Sequence, residues 1–392
     1  MRKIKVGLIG AGFVGPLHVE AVRRLGYVEV IALAASSEES ARKKAAQLSI
    51  DRAYGDADQL LADPEVEAVH ICTPNYLHFP QVMSALQHGK HVICDKPLAL
   101  TGVDARQMRD AARKAGLVNA VTFNYRFNPL VQQARAMINR GDIGDVRFVH
   151  GQYLQDWLLF DTDFSWRLEP EKSGASSAIG DIGSHWCDLA MFLTGAKINR
   201  VLASLTTTMP VRKRPHGGSR EAFETGPSGH TDDYVVTSDD LGTVLVEFDG
   251  GARGVFSVGQ VCAGHKNDLR IELNGSAASL VWEQERPNEM WIGRRDHANS
   301  VLLRDPSLLD EDVRRYARLP GGHNEGWADA FRNLMGNIYS AILDRTNSAS
   351  KSTSASEAPG FPTFEDGYRA NCIVDAIVRS SQDRSVWADV RY

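Results

Sequence analysis

Residues 7–15 read Gly7-Leu8-Ile9-Gly10-Ala11-Gly12-Phe13-Val14-Gly15. Three glycines in the spacing G-x-G-x-x-G follow an apolar run, Ile4–Ile9, and precede Leu17, Ala21, Val22 and Leu25 at helical spacing. Between a strand and a helix each glycine has a mechanical task. The first makes a tight turn, the second lets backbone approach a pyrophosphate, and the third lets helix pack closely on strand. The helix N-terminus then offers N–H groups and the positive end of its dipole to phosphates. Pro16 is tolerated in a first helical turn. The plainer alternative is a tight strand-to-helix turn with no ligand. The flanking strand and helix favour a dinucleotide, with Gly10, Gly12, Phe13, Val14 and Gly15 as its phosphate loop.

Outward from this loop, strand and helix alternate. Val28–Ala34 is a second apolar run, and residues 38–48 are rich in the helix formers Ala, Lys, Glu and Arg. Residues 66–72, His91–Cys94 and 118–123 read as further strands, with a helix over 79–88. Such alternation with apolar strands predicts a parallel sheet covered by helices on both faces. After about residue 124 the pattern changes. Residues 145–153, 201–208, 243–248 and 252–258 are strand-like, with Asp249-Gly250-Gly251 as a hairpin turn between the last two. Residues 269–273 and 279–282 flank Asn274-Gly275, a second hairpin signal. Helices are expected over 181–193 and 366–380, and the Ser-rich stretch 346–360 reads as a mobile loop. The expected fold is an α/β Rossmann domain over 1–123. An α+β domain with a large open, mainly antiparallel sheet follows over 124–392, for substrate binding and oligomerisation.

Composition narrows the class. The 392 residues are 43% hydrophobic and 24% charged, as in an ordinary globular protein. With 44 Lys+Arg against 49 Asp+Glu the net charge is -5, which argues against a general nucleic-acid binder. No apolar run approaches the length of a membrane span. The basic, then apolar, start resembles a signal peptide but opens into glycines and a helical pattern. Five scattered cysteines without a C-x-x-C pair fit reduced, buried thiols in a cytoplasmic protein.

The residue that chooses between NAD and NADP is expected about 20 positions beyond the glycine loop, at the end of the second strand. There the chain reads Ala34-Ala35-Ser36-Ser37, without a strand-end carboxylate. Ser36 and Ser37, with Arg42 nearby, suit a 2′-phosphate, although Arg42 equally suits a solvated helix face. The balance tips toward NADP.

Three more segments carry chemistry: Cys72-Thr73-Pro74-Asn75-Tyr76-Leu77-His78, Cys94-Asp95-Lys96-Pro97, and Gly180-Asp181-Ile182-Gly183-Ser184-His185-Trp186-Cys187-Asp188. The first two follow strands, and strand C-termini face the cofactor crevice in such a sheet. Thr73, Asp95 and Lys96 are therefore candidate cofactor contacts. Lys96 also suits a hydrogen bond to a substrate oxygen, against the common fate of a surface lysine. Asp181 and His185 stand four apart, on one face of a helix. A carboxylate there can fix the imidazole tautomer and make a general base near neutral pH. The alternatives are an N-cap for Asp181 and a core role for His185. Asp188 adds a carboxylate, but further ligands are not evident and no metal is expected.

These stretches, GLIGAGFVG, CTPNYLH, CDKPLAL and GDIGSHWCDLA in that order, resemble the glucose–fructose oxidoreductase / inositol dehydrogenase / MocA (Gfo/Idh/MocA) family across nearly the whole chain. The family's lysine falls on Lys96, and its usual Glu-Lys-Pro is Asp95-Lys96-Pro97 here, one methylene shorter. Its helical acid and histidine fall on Asp181 and His185. The resemblance implies nicotinamide contacts at Pro74, Asn75, His78, Trp166 and Arg167. It also implies a homodimer or homotetramer and hydride transfer at a secondary alcohol or ketone of a sugar or cyclitol. Some relatives instead cleave glycosides with a retained NAD. A non-catalytic, cofactor-binding regulator is a third reading, opposed by the presence of Lys96, Asp181 and His185 together.

For the substrate, Tyr125 and Arg126 follow the last Rossmann strand, and Tyr153, Gln155, Asp156 and Trp157 end the first strand of the second domain. Aromatic faces mixed with amide, carboxylate and guanidinium groups suit a pyranose, though they also suit hydrogen-bonded core aromatics. Candidate substrate contacts are thus Lys96, Tyr125, Arg126, Tyr153, Gln155, Asp156, Asp181 and His185. Locally, this stretch and Ser165-Trp166-Arg167 resemble the sugar 3-dehydrogenases of the family, levoglucosan dehydrogenase among them. Val244, Val246 and Phe248 alternate with Leu245 and Glu247, so a partly apolar sheet face is expected to need cover from another subunit.

Overall fold

The computed structural model describes residues 2–216, 229–347 and 360–392. Among these, six strands make a parallel sheet: β1 (Ile4–Ile9), β2 (Val28–Ala34), β3 (Arg52–Tyr54), β4 (Ala68–Ile71), β5 (His91–Cys94) and β6 (Asn119–Val121), in the order β3-β2-β1-β4-β5-β6. The central strands are apolar on both faces and all of β4 is buried, as covering helices require. Those helices are α1 (Val14–Arg23), α2 (Glu38–Gln47), α3 (Ala57–Leu61), α4 (His78–Gln87) and α5 (Gly102–Ala115). Side-chain oxygens of Ser37, Asp56 and Thr101 start α2, α3 and α5 by accepting backbone N–H bonds.

The second sheet has nine described strands in the order β16-β15-β14-β13-β7-β12-β11-β8-β17. They are β7 (Val146–Leu154), β8 (Ile198–Thr206), β11 (Leu241–Phe248), β12 (Arg253–Gly259), β13 (Asp268–Gly275), β14 (Ser279–Glu283), β15 (Glu289–Gly293), β16 (Ser300–Leu303) and β17 (Ala388–Asp389). All pair antiparallel except β7 with β12. A separate hairpin joins β9 (Val211–Pro215) and β10 (Thr231–Val235). Helices here are α6 (Pro129–Arg140), α7 (Pro170–Ser173), α8 (Ser184–Thr194) and α9 (Glu311–Arg314), followed by α10 (Trp327–Asn347) and α11 (Phe364–Gln382). Period-two burial gives the sheet two different faces. Val244, Val246 and Phe248 are buried, while Leu245 points the other way and is 41% exposed. On the covered face Trp186 of α8 stacks on Phe256 of β12, ring centroids 4.4 Å apart. Burial of a large apolar side chain such as Phe256 stabilises by about 1.5–3 kcal/mol.

Both expected hairpins form. At residues 249–251 the Phe248 N–H donates to the Ala252 carbonyl at 3.0 Å. At the second, Asn274 pairs with Ser279, so the loop runs over 275–278 rather than resting on Asn274-Gly275 alone. Four of the five cysteines are buried, and all five are free thiols. Of the Ser-rich stretch 346–360, residues 348–359 lie outside the described residues.

The described residues form two compact units, 1–124 with 331–369 and 125–330 with 370–392. The sequence reading assigned all of 124–392 to the second domain, but the described residues 331–347 and 360–369 pack with the first. The reason is a set of specific ties. Tyr339 of α10 hydrogen-bonds His70 of β4 at 2.6 Å, and Nδ1 of His70 meets Nδ1 of His18 on α1 at 2.8 Å. The Phe331 ring lies edge-on to His18, and the Pro362 carbonyl accepts from the Val121 N–H at the end of β6. Burial pushes the His18 imidazole down to about 3 and holds His70 well below the ordinary histidine range. Both rings are therefore neutral.

Candidate active site

In the first unit the glycine loop leaves β1 where the sheet order turns from β2 to β4, the position at which such sheets bind ligands. Gly10 has φ +88, and a Cβ there would stand 2.8 Å from the Cys72 carbonyl oxygen. A Cβ on Gly15 would stand 2.6 Å from the Gly10 carbonyl oxygen. Both positions therefore require glycine. Around Gly12 a Cβ would meet no atom within 4 Å, so the backbone there borders open space. No side chain caps α1 and no acidic residue lies in its first turn, whereas α2 has both. Phe13 precedes α1 and is 46% exposed; Val14 is the first helical residue. This donor set fits the diphosphate of a dinucleotide.

At the end of β2, Ser36 and Ser37 are exposed and Ser37 caps α2, accepting from the Ser40 N–H at 3.2 Å. Arg42 pairs with Glu38 one turn away, on the exposed face of α2. The Thr73 hydroxyl donates to Gln81 at 2.6 Å, and Pro74 leads into a turn over Asn75–Leu77 with Asn75 buried. Beyond β5, Asp95 accepts the Thr122 hydroxyl at 2.5 Å, and Lys96, next along the chain, is half-buried. Cys72 and Cys94 are pushed well above the thiol range, by burial first and then by Asp95. His78 is buried at the start of α4, with both ring nitrogens against backbone carbonyls. The structure thus places it behind the strand-end turns.

In the second unit the expected helix over 181–193 begins differently. Ile179–Gly183 makes one π-helical turn, and α8 follows it. The Asp239 carboxylate starts this turn by accepting N–H bonds from Ser177 at 3.1 Å and Ile179 at 2.9 Å. Burial pushes Asp239 up against those bonds. Asp181 is held on both oxygens. Oδ2 accepts from Gln260 Nε2 at 2.9 Å, and Oδ1 lies 3.3 Å from Arg167 Nε. Arg167 lies over the Trp166 ring at 4.5 Å and farther from Trp157 at 5.9 Å. Trp166 and Arg167, expected as nicotinamide contacts, are thus placed at Asp181.

His185 is 7% exposed and packs edge-on against Tyr125 (centroids 4.9 Å) with Tyr153 at 6.1 Å. The hydroxyls of Tyr125 and Tyr153 are 2.7 Å apart. Tyr153 donates to Asn267 Oδ1 at 2.5 Å, and Asn267 Nδ2 donates to the Tyr125 oxygen at 3.1 Å. The Trp327 indole also bonds the Tyr125 oxygen. With its oxygen accepting two bonds, Tyr125 donates to Tyr153, and the three side chains close a ring of hydrogen bonds. Burial pushes both phenols up, Tyr153 strongly. Gln155 reaches Asn267 at 3.3 Å and accepts the Trp157 indole N–H at 3.0 Å. Tyr125, Tyr153, Gln155 and His185 are thus brought together, joined by Asn267 and Trp327.

Two expected substrate residues are held in ion pairs. Arg126 makes a two-pronged bond to Asp188, with Nε–Oδ2 at 2.8 Å, both side chains being buried. Asp156 takes the Lys266 ammonium at 2.6 Å and the Gly264 N–H at 3.0 Å. Among the described residues no cluster of His, Cys, Asp and Glu could hold a metal. Sequence reasoning missed Asn267, Gln260 and Trp327. Trp327 alone carried a usable signal, as an aromatic opening a helical pattern in Phe331, Leu334 and Ile338.

A glycine loop fitted to a diphosphate in the first unit, and an aromatic and amide wall around His185 in the second, are features of a dinucleotide-binding oxidoreductase. Residues 4–123 match the Gfo/Idh/MocA oxidoreductase family model with its NAD-binding Rossmann fold, and residues 131–281 match the Gfo/Idh/MocA C-terminal domain. The chain belongs to this family. It is 31% identical to levoglucosan dehydrogenase of Pseudarthrobacter phenanthrenivorans, across 100% of this chain and 99% of that protein. It is 26% identical to myo-inositol 2-dehydrogenase of Thermotoga maritima over 72% of this chain and 76% of that one. The structure of levoglucosan dehydrogenase with NADH and levoglucosan is similar at TM-score 0.86 and 28% identity, covering 100% of both chains. An oxidoreductase domain protein from Kribbella flavida is similar at TM-score 0.88 and 32% identity, also over 100% of both.

Proposed function

We propose that the protein is an NAD(P)-dependent dehydrogenase of a secondary alcohol on a pyranoside or cyclitol. The observation that carries this reading is the wall beside His185. Tyr125 and Tyr153 supply aromatic surface, while Gln155, Asn267 and Asp181 supply acceptors and amide donors. A polyol ring needs both kinds of surface at once. The named activities of levoglucosan dehydrogenase and myo-inositol 2-dehydrogenase support the same substrate class.

In this reading His185 takes the hydroxyl proton at Nε2, because Nδ1 is buried. Asp181, held by Gln260 and Arg167, favours the imidazolium that results. The Lys96 ammonium donates to the reacting oxygen and steadies its developing charge. Bound nicotinamide supplies the hydride acceptor. The absence of a strand-end acid at Ala35-Ser36-Ser37 supports use of NADP(H) at least as readily as NAD(H).

The test is a panel of sugars and cyclitols with both cofactors, read by nicotinamide absorbance. Net NAD(P)H accumulation is expected with at least one member. A product without net NAD(P)H would overturn the reading in favour of a transient oxidation. Lys96→Ala and His185→Ala should each lose on the order of 10²-fold or more in kcat, and Asp181→Asn should also slow. NAD(P)H affinity should persist. Folded variants with native turnover would end the catalytic assignment.

A further inference from the structure

His78 is 1% exposed, at the first position of α4. Its Nδ1 lies 2.9 Å from the Pro97 carbonyl oxygen, and its Nε2 lies 2.9 Å from the Thr73 carbonyl oxygen. The Leu98 backbone acts on the ring as a further acceptor. A backbone carbonyl only accepts. A neutral imidazole carries one N–H and would set its other nitrogen's lone pair against a carbonyl oxygen at hydrogen-bond distance. With protons on both nitrogens, each contact becomes a donated bond.

Burial lowers the imidazole from its ordinary value, against the pull of Asp95 and the carbonyls toward the charged form. The two facing carbonyl oxygens, rather than this balance, call for the second proton. Asp95 stands at the end of β5 and accepts the Thr122 hydroxyl at 2.5 Å. The neighbouring thiols, Cys72 beyond β4 and Cys94 on β5, are buried.

We infer that His78 is a buried imidazolium that bolts the Lys96-Pro97 turn to the Thr73-Pro74 turn, and so acts as a positioning residue for Lys96. Pro97 follows Lys96 directly, so a bond to its carbonyl fixes the backbone that aims the ammonium. Thr73 ends the neighbouring strand connection, so the same planar ring sets the spacing of two adjacent crevice turns. Two bonds from one planar ring restrain the distance between the turns.

The charge state is tested without catalysis. In protein labelled with ¹⁵N-histidine, spectra correlating ring carbons' protons with ring nitrogens separate imidazolium from either neutral tautomer. One of the twelve histidines should carry protons on both nitrogens at neutral pH. Its signal should vanish in His78→Gln. Finding no such imidazolium in the wild type overturns the inference, whether or not the variant folds.

The positioning half rests on the proposed hydride transfer. Glutamine offers N–H groups from one end only, so one of the two carbonyls is abandoned. His78→Gln should lose on the order of 10–10²-fold in kcat, the scale of a small misplacement of a catalytic group. Its NAD(P)H affinity should change by less than about threefold, because the phosphate loop is untouched. Native kcat in the folded variant would refute positioning. A protein that oxidises no sugar or cyclitol would instead refute the proposed function, while the ¹⁵N spectrum still decides the charge.

Discussion

Replacing Arg126 with leucine should destabilise the second unit sharply, and adding Asp188→Leu should restore most of the loss. The two side chains are 10% and 2% exposed, and they share two parallel N–H···O bonds. Removing the guanidinium alone takes both of these bonds from a buried carboxylate, which costs about 3–5 kcal/mol. The guanidinium also lies 5.1 Å over the Phe192 ring, a contact worth about 0.5–2 kcal/mol. Replacing both partners with apolar groups removes the stranded charge, and such exchanges are often neutral. The coupling energy across the double-mutant cycle should therefore be at least about 2 kcal/mol. The assay is urea unfolding followed by tryptophan fluorescence. All seven tryptophans fall within 125–330 and 370–392, so the signal reports the second unit alone. A single-variant loss below about 1 kcal/mol, or a double variant as unstable as the sum of the singles, would refute the reasoning. A KM increase in Arg126→Leu at unchanged stability would return Arg126 to the substrate.

Cofactor preference should move toward NAD in Ala35→Asp through repulsion of the 2′-phosphate; strong NAD preference of the wild type in kcat/KM would sink the NADP reading. The open face of the nine-stranded sheet, with Phe148 39% and Leu245 41% exposed, should bury itself in a homodimer or homotetramer. A monomer by light scattering at micromolar concentration would contradict this. Stability should fall as pH drops below the ordinary histidine range. The unfolded chain protonates His18 near 6.5 while the folded ring resists to about 3, so His18 alone removes about 2 kcal/mol by pH ~5. Denaturant midpoints across that range should be flatter in His18→Leu, and equal slopes would exclude the mechanism. Asn267→Leu opens the hydrogen-bonded ring beside His185 and leaves the Tyr153 hydroxyl without its acceptor, for a loss of about 1–3 kcal/mol. An unchanged melting midpoint would show that the ring carries no stability.

The first sheet was legible because its strands are continuous apolar runs and its loops carry glycines with fixed mechanical tasks. β3 escaped because Arg52–Tyr54 is three half-buried residues without a period. The helix α10 was in plain view as Phe331, Leu334, Ile338 and Ile342, but no helix over these residues was anticipated. Asn267 was not legible. One asparagine among His265, Lys266 and Asp268 looks like turn chemistry, and only the pairing of β7 with β13 brings it to Tyr153. The π-helical turn was hidden for a similar reason. Its wider backbone depends on Asp239, which lies far along the chain and reaches back to Ser177 and Ile179. The ion pairs of Arg126 with Asp188 and of Asp156 with Lys266 join residues far apart in the chain, which spacing does not announce.

The contribution of 331–369 to the first unit bears on the order in which the chain can mature. Domains generally fold as units, N-terminal first, while the ribosome is still at work. Here the His70 imidazole and the end of β6 wait for Tyr339 and Pro362, which are made after almost the whole second sheet. A nascent Rossmann domain therefore emerges unfinished, with part of its apolar surface awaiting a cover more than two hundred residues downstream. A chain arrested before α10 lacks the Tyr339 and Pro362 contacts of the first unit and the C-terminal part of the second at once.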